Sequence, residues 1–173
     1  MFEQLTMELF EVKMPIPVEE ITEAQTETIR LIEEGQFSEA KAILISPSKL
    51  TKTISAFANS DGGDLYVGIS EETQPQNVRT WAGFTNQEAA NAHLQVFEGL
   101  FPLGTDFSYA FLKCSSRPGL VLHVHINRTK GIVWASNSIS YIRRGAQNLP
   151  QDTPELIKRL EYAKGVTEVA PEI

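Results

Sequence analysis

The sequence predicts an α+β fold, a mixed and largely antiparallel sheet with helices packed on it. Three observations lead there. Helical patterning alternates with strands over the first hundred residues. Between residues 107 and 143 strand follows strand with no helix between, which a fully doubly wound parallel sheet would not show. And 173 residues, 42% of them hydrophobic and only one a cysteine, can close a single core without disulfides or a structural metal.

The elements are taken in chain order. Residues 7–14 alternate and read as a strand with Phe10 and Val12 on one face. Pro17 is placed to open a helix over 18–34, where Ile21, Ala24, Thr28, Leu31 and Ile32 recur near helical spacing and Gly35 closes the element. A short helix over 38–44 comes next, so that an acidic helical insertion occupies about 18–45. Ser46-Pro47 supplies an N-cap hydroxyl and a proline at the first helical position. Leu50, Ile54, Phe57 and Ala58 form that helix's stripe, and Asn59-Ser60-Asp61-Gly62-Gly63 ends it in a turn suited to positive φ. Residues 64–69 read as a strand with Leu65, Val67 and Ile69 on one side, and the polar stretch 71–79 as a loop. A third long helix spans 86–100, with Ala89, Ala90, His93, Val96, Phe97 and Leu100 inward. Strands are expected at 107–114, 120–126, 132–135 and 139–143. The last helix begins near Asp152-Thr153-Pro154-Glu155, carries Leu156, Leu160 and Ala163, and stops at Gly165. Residues 1–165 thus read as one domain and 166–173 as a frayed tail.

The net charge of −7 disfavours a polyanionic partner only in aggregate. Residues 1–48 hold ten acids and three bases, and the remaining 125 hold twelve of each. The body is therefore neutral and can present a local basic face, which matters more to a polyanion than the total. No apolar run approaches the ~18 residues of a membrane span. The first nine residues carry two glutamates and no Lys or Arg, unlike a signal peptide. With a lone Cys114, these features point to a reducing, cytoplasmic compartment and no membrane partner.

The stretch from Lys49 to Ile69, KLTKTISAFANSDGGDLYVGI, resembles the AlbA-type DNA-binding domain of Schlafen proteins: a helix ending in AFAN, a Gly-Gly turn, and a strand ending in GI. Glu11-Val12-Lys13 is similar to the early E-F-K strand of that family, and Tyr141-Ile142-Arg143-Arg144-Gly145 to its late Y-x-R-x-G strand. The anchors span residues 8–149. The resemblance implies a nucleic-acid-binding or sensing module of the kind attached to transcription regulators, helicase-like proteins and defence systems. In Schlafen proteins a doubled version forms a clamp that cuts structured RNA with a metal held by acids; a single copy would need a homodimer to build one. This chain departs from that pattern, because the residue five before Glu11 is Thr6 and the nearest earlier acid is Glu8.

Three functional classes are open. The favoured one is DNA or RNA binding without a cofactor. Lys13, Lys49, Lys52, Asn59, Arg143 and Arg144 are its candidate contacts, the arginines gripping phosphate oxygens bidentately and the Gly62-Gly63 turn letting backbone approach them. The bland readings are surface arginines that neutralise the acidic helix, a turn that merely joins helix to strand, and a Lys13 paired with Glu11. The second class is a Mg²⁺- or Mn²⁺-dependent endoribonuclease using Glu8, Glu11 and Glu71, a hard oxygen set; Glu8 and Glu11, three apart, point to opposite faces of a strand unless a bulge intervenes. The third is a protein-interaction or oligomerisation module using the acidic helix. His123 and His125 share one face of a strand as a metal-ligand pair with no acid at a suggestive spacing, and Cys114 reads as a small strand residue.

Overall fold

The computed structural model describes residues 15–72 and 78–166. In chain order its elements are β1 (Val18–Glu20), α1 (Glu23–Arg30), β2 (Ser38–Lys41), α2 (Pro47–Ala58), β3 (Gly63–Val67), β4 (Ile69–Glu72), β5 (Val78–Trp81), a 3₁₀ turn (Glu88–Ala90) leading into α3 (Asn91–Leu100), β6 (Phe107–Lys113), β7 (Val121–Ile126), β8 (Ser140–Arg144), β9 (Gln147–Gln151) and α4 (Pro154–Ala163). Five strands make the main sheet in the order β1-β6-β7-β3-β2, and β4-β5 and β8-β9 are separate two-stranded sheets. The pairs β6-β7, β7-β3, β4-β5 and β8-β9 are antiparallel, while β1-β6 and β2-β3 are parallel. The α+β class with a mixed, largely antiparallel arrangement is what the sequence predicts.

Strand alternation divides the sheet into two faces. Leu65 and Val67 of β3, Leu122, Val124 and Ile126 of β7, and Tyr109 and Phe111 of β6 pack with Leu50, Ile54 and Phe57 of α2 and with Phe97 and Phe101 at the end of α3. The opposite face carries a smaller apolar cluster of Ala40, Ile69, Trp81, Leu112 and Val121, against which Ile21, Ile29, Ile32 and Tyr66 pack. Helix α2 starts as the sequence dictates: the Ser46 hydroxyl accepts from the Lys49 N–H and Pro47 occupies the first turn. Its polar flank is buried too. The Thr53 hydroxyl donates to Glu39 at 2.6 Å, and the Ser55 hydroxyl donates to the Val133 carbonyl at 2.7 Å.

Several expected elements are different. The helix read over 18–34 is β1 followed by the eight-residue α1. Pro17 opens a strand because its carbonyl accepts the Phe111 N–H at 2.8 Å, and the helix waits for Thr22, which forms a capping box with Gln25. The helix read over 38–44 is β2, drawn into strand form by β3 with Glu39 and Ala40 buried. The loop read over 71–79 contains the β4-β5 pairing. The strand read over 132–135 shrinks to one bridge, Trp134 to Ser140, because side chains take its backbone groups: Val133 N–H donates to Asn59 Oδ1, and the Val133 carbonyl accepts from the Asn59 amide and the Ser55 hydroxyl. Strand β9 has no counterpart in the sequence reading. The strand expected over 7–14 lies outside the described residues. Among the described residues no helix is long and apolar enough to cross a membrane.

Candidate functional site

The turn after α2 organises one end of the molecule. Gly62 has φ +79°, and a Cβ there would stand 2.6 Å from the Ile126 carbonyl oxygen, so only glycine fits. Asn59 caps α2 and is 4% exposed. Its amide donates to the carbonyls of Val133 (2.8 Å) and Tyr141 (3.0 Å), and its Oδ1 accepts from Val133 N–H (2.8 Å) and from the Lys164 ammonium (3.2 Å). Asn59 therefore ties α2 to β8 and to the segment before it. Lys164 gives its other two hydrogen bonds to the Ala58 carbonyl and the Thr129 hydroxyl, both at 2.8 Å. Burial, helped by the nearby Arg128 charge and opposed by Asp106, pushes its pKa down to about 8.

The pleat of β8 separates its two arginines. Arg143 turns inward with a fully buried side chain. Its guanidinium donates to Gly35 O (2.9 Å) and Asn148 Oδ1 (2.7 Å), stands 3.6 Å from the Glu39 carboxylate, and lies over the Phe57 ring at 4.8 Å. Burial lowers its pKa against the attraction of Glu39 and Glu34. This side chain is a structural member of the α2-β2-β8 junction, not the surface cation the sequence reading expected. Arg144 turns outward and is exposed.

Arg144 lines a cavity of about 620 Å³ between the β8-β9 hairpin, α4 and the end of α2. Arg128 and Arg159 line it as well, with Ile142, Leu149 and Leu156 as an apolar wall, and among the described residues no carboxylate does. Arg128 donates to the Ala163 carbonyl at 2.9 Å, which leaves most of its donors available. Among the described residues neither Arg144 nor Arg159 forms an ion pair. A second cavity of about 540 Å³ shares Arg128 and adds Lys130, with Asp106 on its wall. Arg128 and Arg159 carry no sequence motif; only the fold brings them beside Arg144.

The other candidates are dispersed. Lys49 is exposed in the first turn of α2, and the Lys52 ammonium sits 5.9 Å from the centre of the Tyr141 ring on β8. Neither lines the arginine groove. Glu8, Glu11 and Lys13 lie outside the described residues. Glu71 is on β4, half exposed, 4.0 Å from Arg79 of the paired strand. The acidic helix is partly neutralised: Arg117 binds both Glu23 and Glu27, and Arg30 also binds Glu27. These contacts hold both glutamates below the usual carboxylate range, chiefly through the Arg117 hydrogen bond at Glu23 and the Arg30 hydrogen bond at Glu27. Cys114 is buried and free.

His123 and His125 do share one face of β7, and the acid that sequence spacing missed is across the strand pair. Asp64 stands directly opposite His125 in the β3-β7 register. Its Oδ1 lies 2.7 Å from His123 Nε2 and 2.8 Å from His125 Nδ1. Burial would raise the Asp64 pKa, but the two imidazole contacts together lower it. Tyr66 stacks on His123 with ring centres 4.6 Å apart and planes 6° from parallel; burial pushes its hydroxyl up to about 12.

Comparison with known proteins gives three findings. A family model described as Schlafen, AlbA_2 matches residues 34–152. The N-terminal domain of a DNA helicase RecG-related protein from Nitrosomonas europaea is similar in structure, with a TM-score of 0.51 and 16% identity over 69% of this chain and 84% of that one; at that identity the likeness is one of fold. The DIP2311 protein from Corynebacterium diphtheriae aligns with a TM-score of 0.47 and 14% identity, over 82% of this chain and 28% of that one. No curated protein matches.

Proposed function

We propose that the chain, which belongs to the Schlafen AlbA_2 family, is a nucleic-acid-binding domain that grips the phosphate backbone with Arg128, Arg144 and Arg159. One observation carries this reading: three arginines from three separate segments converge on one groove that, among the described residues, no carboxylate lines. Guanidinium groups so placed can each take a phosphate oxygen pair, and repulsion among them is relieved when an anion enters. The apolar wall of Ile142, Leu149 and Leu156 suits sugar and base surfaces rather than a free inorganic ion. The family, together with a fold neighbour described as related to a DNA helicase, supports the same reading. Contacts of this kind position the strand and carry little sequence information.

The test is fluorescence anisotropy with single-stranded DNA, duplex DNA and hairpin RNA across a salt series. Three phosphate contacts give a log–log slope of roughly −3 on duplex. The double variant R144A/R159A should cut that slope to about −1 and weaken all substrates together. Absence of binding at low salt, or a double variant indistinguishable from the parent, would overturn the reading.

A further inference from the structure

We propose that Asp64, His123 and His125 form a binding site for one divalent transition metal of the zinc class. The three side chains come from two neighbouring strands of the main sheet, β3 and the central β7. One ligand atom from each of the three side chains lies within 4.8 Å of those of the other two. Both imidazoles converge on the same oxygen, at 2.7 and 2.8 Å. Ligand atoms around a tetrahedral ion bound at about 2.0–2.1 Å stand about 3.3 Å apart. To admit an ion each nitrogen draws back about half an ångström from the carboxylate oxygen, and the two imidazole ligand atoms, already within 4.8 Å of each other, settle at the same spacing.

The donor set selects the ion. Two imidazoles and one carboxylate suit Zn²⁺, Co²⁺ or Ni²⁺, whereas Mg²⁺ and Ca²⁺ prefer oxygen alone. Three protein ligands leave a fourth position for water, and the half-exposed His125 places it toward solvent. Stacking on Tyr66 fixes the His123 ring, the supporting role that outer residues play at metal sites. Each imidazole must present a lone pair, so a proton now directed at Asp64 moves to the other ring nitrogen or to solvent. None of the three ligands lines the arginine groove, and the site stands independently of the nucleic-acid reading.

The deciding experiment is calorimetric titration of the untagged, chelator-stripped chain with ZnCl₂, paired with visible spectroscopy of the Co²⁺ form. The expected result is one ion per chain and the intense d–d bands of four-coordinate Co²⁺. His125→Ala and Asp64→Asn should each weaken binding at least tenfold, since even loss of an outer-shell partner costs roughly 10–100-fold. Cys114→Ser should change nothing. His125 is on the surface, so its variant keeps the test open should Asp64→Asn fold poorly. A parent chain that takes up no stoichiometric Zn²⁺, or a His125→Ala chain that binds it as the parent does, overturns the proposal and leaves Asp64 as the hydrogen-bond partner of two histidines and nothing more.

Discussion

At the scale of single residues, neighbours in the chain take opposite duties. Arg143 and Arg144 are adjacent in sequence, yet one is buried against Glu39 and the other lines the groove. The motif marks the pair, and strand alternation alone says that they cannot share a face; which one faces inward depends on β2 and α2, far away in sequence. Arg143→Ala should therefore destabilise the fold by roughly 3–5 kcal/mol, because it removes a buried guanidinium with its hydrogen bonds to Gly35 and Asn148 and leaves the buried Glu39 to Lys41 at 3.6 Å and the Thr53 hydroxyl. Arg144→Ala should leave stability within about 0.5 kcal/mol while weakening nucleic-acid binding. Urea denaturation beside anisotropy reads both. Lys164 gives a pH-dependent counterpart. Its folded pKa of about 8 lies below its ordinary 10.5, so between those values the unfolded chain holds more protons and stability rises with pH. The gain is on the order of 3 kcal/mol once pH passes 10.5, and it is absent below pH 8. Lys164→Met should flatten that part of the stability–pH curve; an unchanged curve would show that the ammonium is not the group responsible.

At the scale of elements, the parts legible in the sequence are those whose signals are local. Ser46-Pro47 and the stripe of Leu50, Ile54 and Phe57 specify α2 by themselves, and the Gly62-Gly63 turn specifies the reversal into β3. The parts misread depend on distant partners. Residues 38–41 become a strand because β3 offers a free edge and Thr53 offers a hydroxyl to Glu39, and neither is visible within the window itself. Residues 18–20 pair with β6, some ninety positions later. The same dependence explains why only half of the Asp64 cluster is legible: His123 and His125 advertise a shared face, but their acid belongs to another strand and emerges only with the register. The Gly62 turn supplies the sharpest test at this scale. Gly62→Ala places a Cβ against the Ile126 carbonyl at positive φ, so thermal unfolding should show a loss above about 1 kcal/mol. An equally stable variant would mean that the turn relaxes freely.

At the scale of the whole molecule, charge is segregated rather than balanced. The chain is at −7 overall, with its acids concentrated before residue 48, while the arginine groove forms where α4, β8 and β9 meet. β8 abuts the β2 side of the main sheet through Arg143, and β1 occupies the opposite edge. Glu19 and Glu20 of β1 and Glu33 beyond α1 are exposed, and their charges act on an approaching polyanion only through the long-range field. That field reaches about 30 Å in 0.01 M salt but about 8 Å in 0.15 M. Replacing Glu19, Glu20 and Glu33 with glutamine should therefore raise the association rate for duplex DNA about two- to threefold at 0.01 M salt, leave the dissociation rate alone, and have no effect at 0.15 M. Stopped-flow kinetics separates the two rates. An acceleration that survives at 0.15 M would mean that the acids lie beside the contact surface, so the strand would have to cross the acidic edge of the sheet and not the groove.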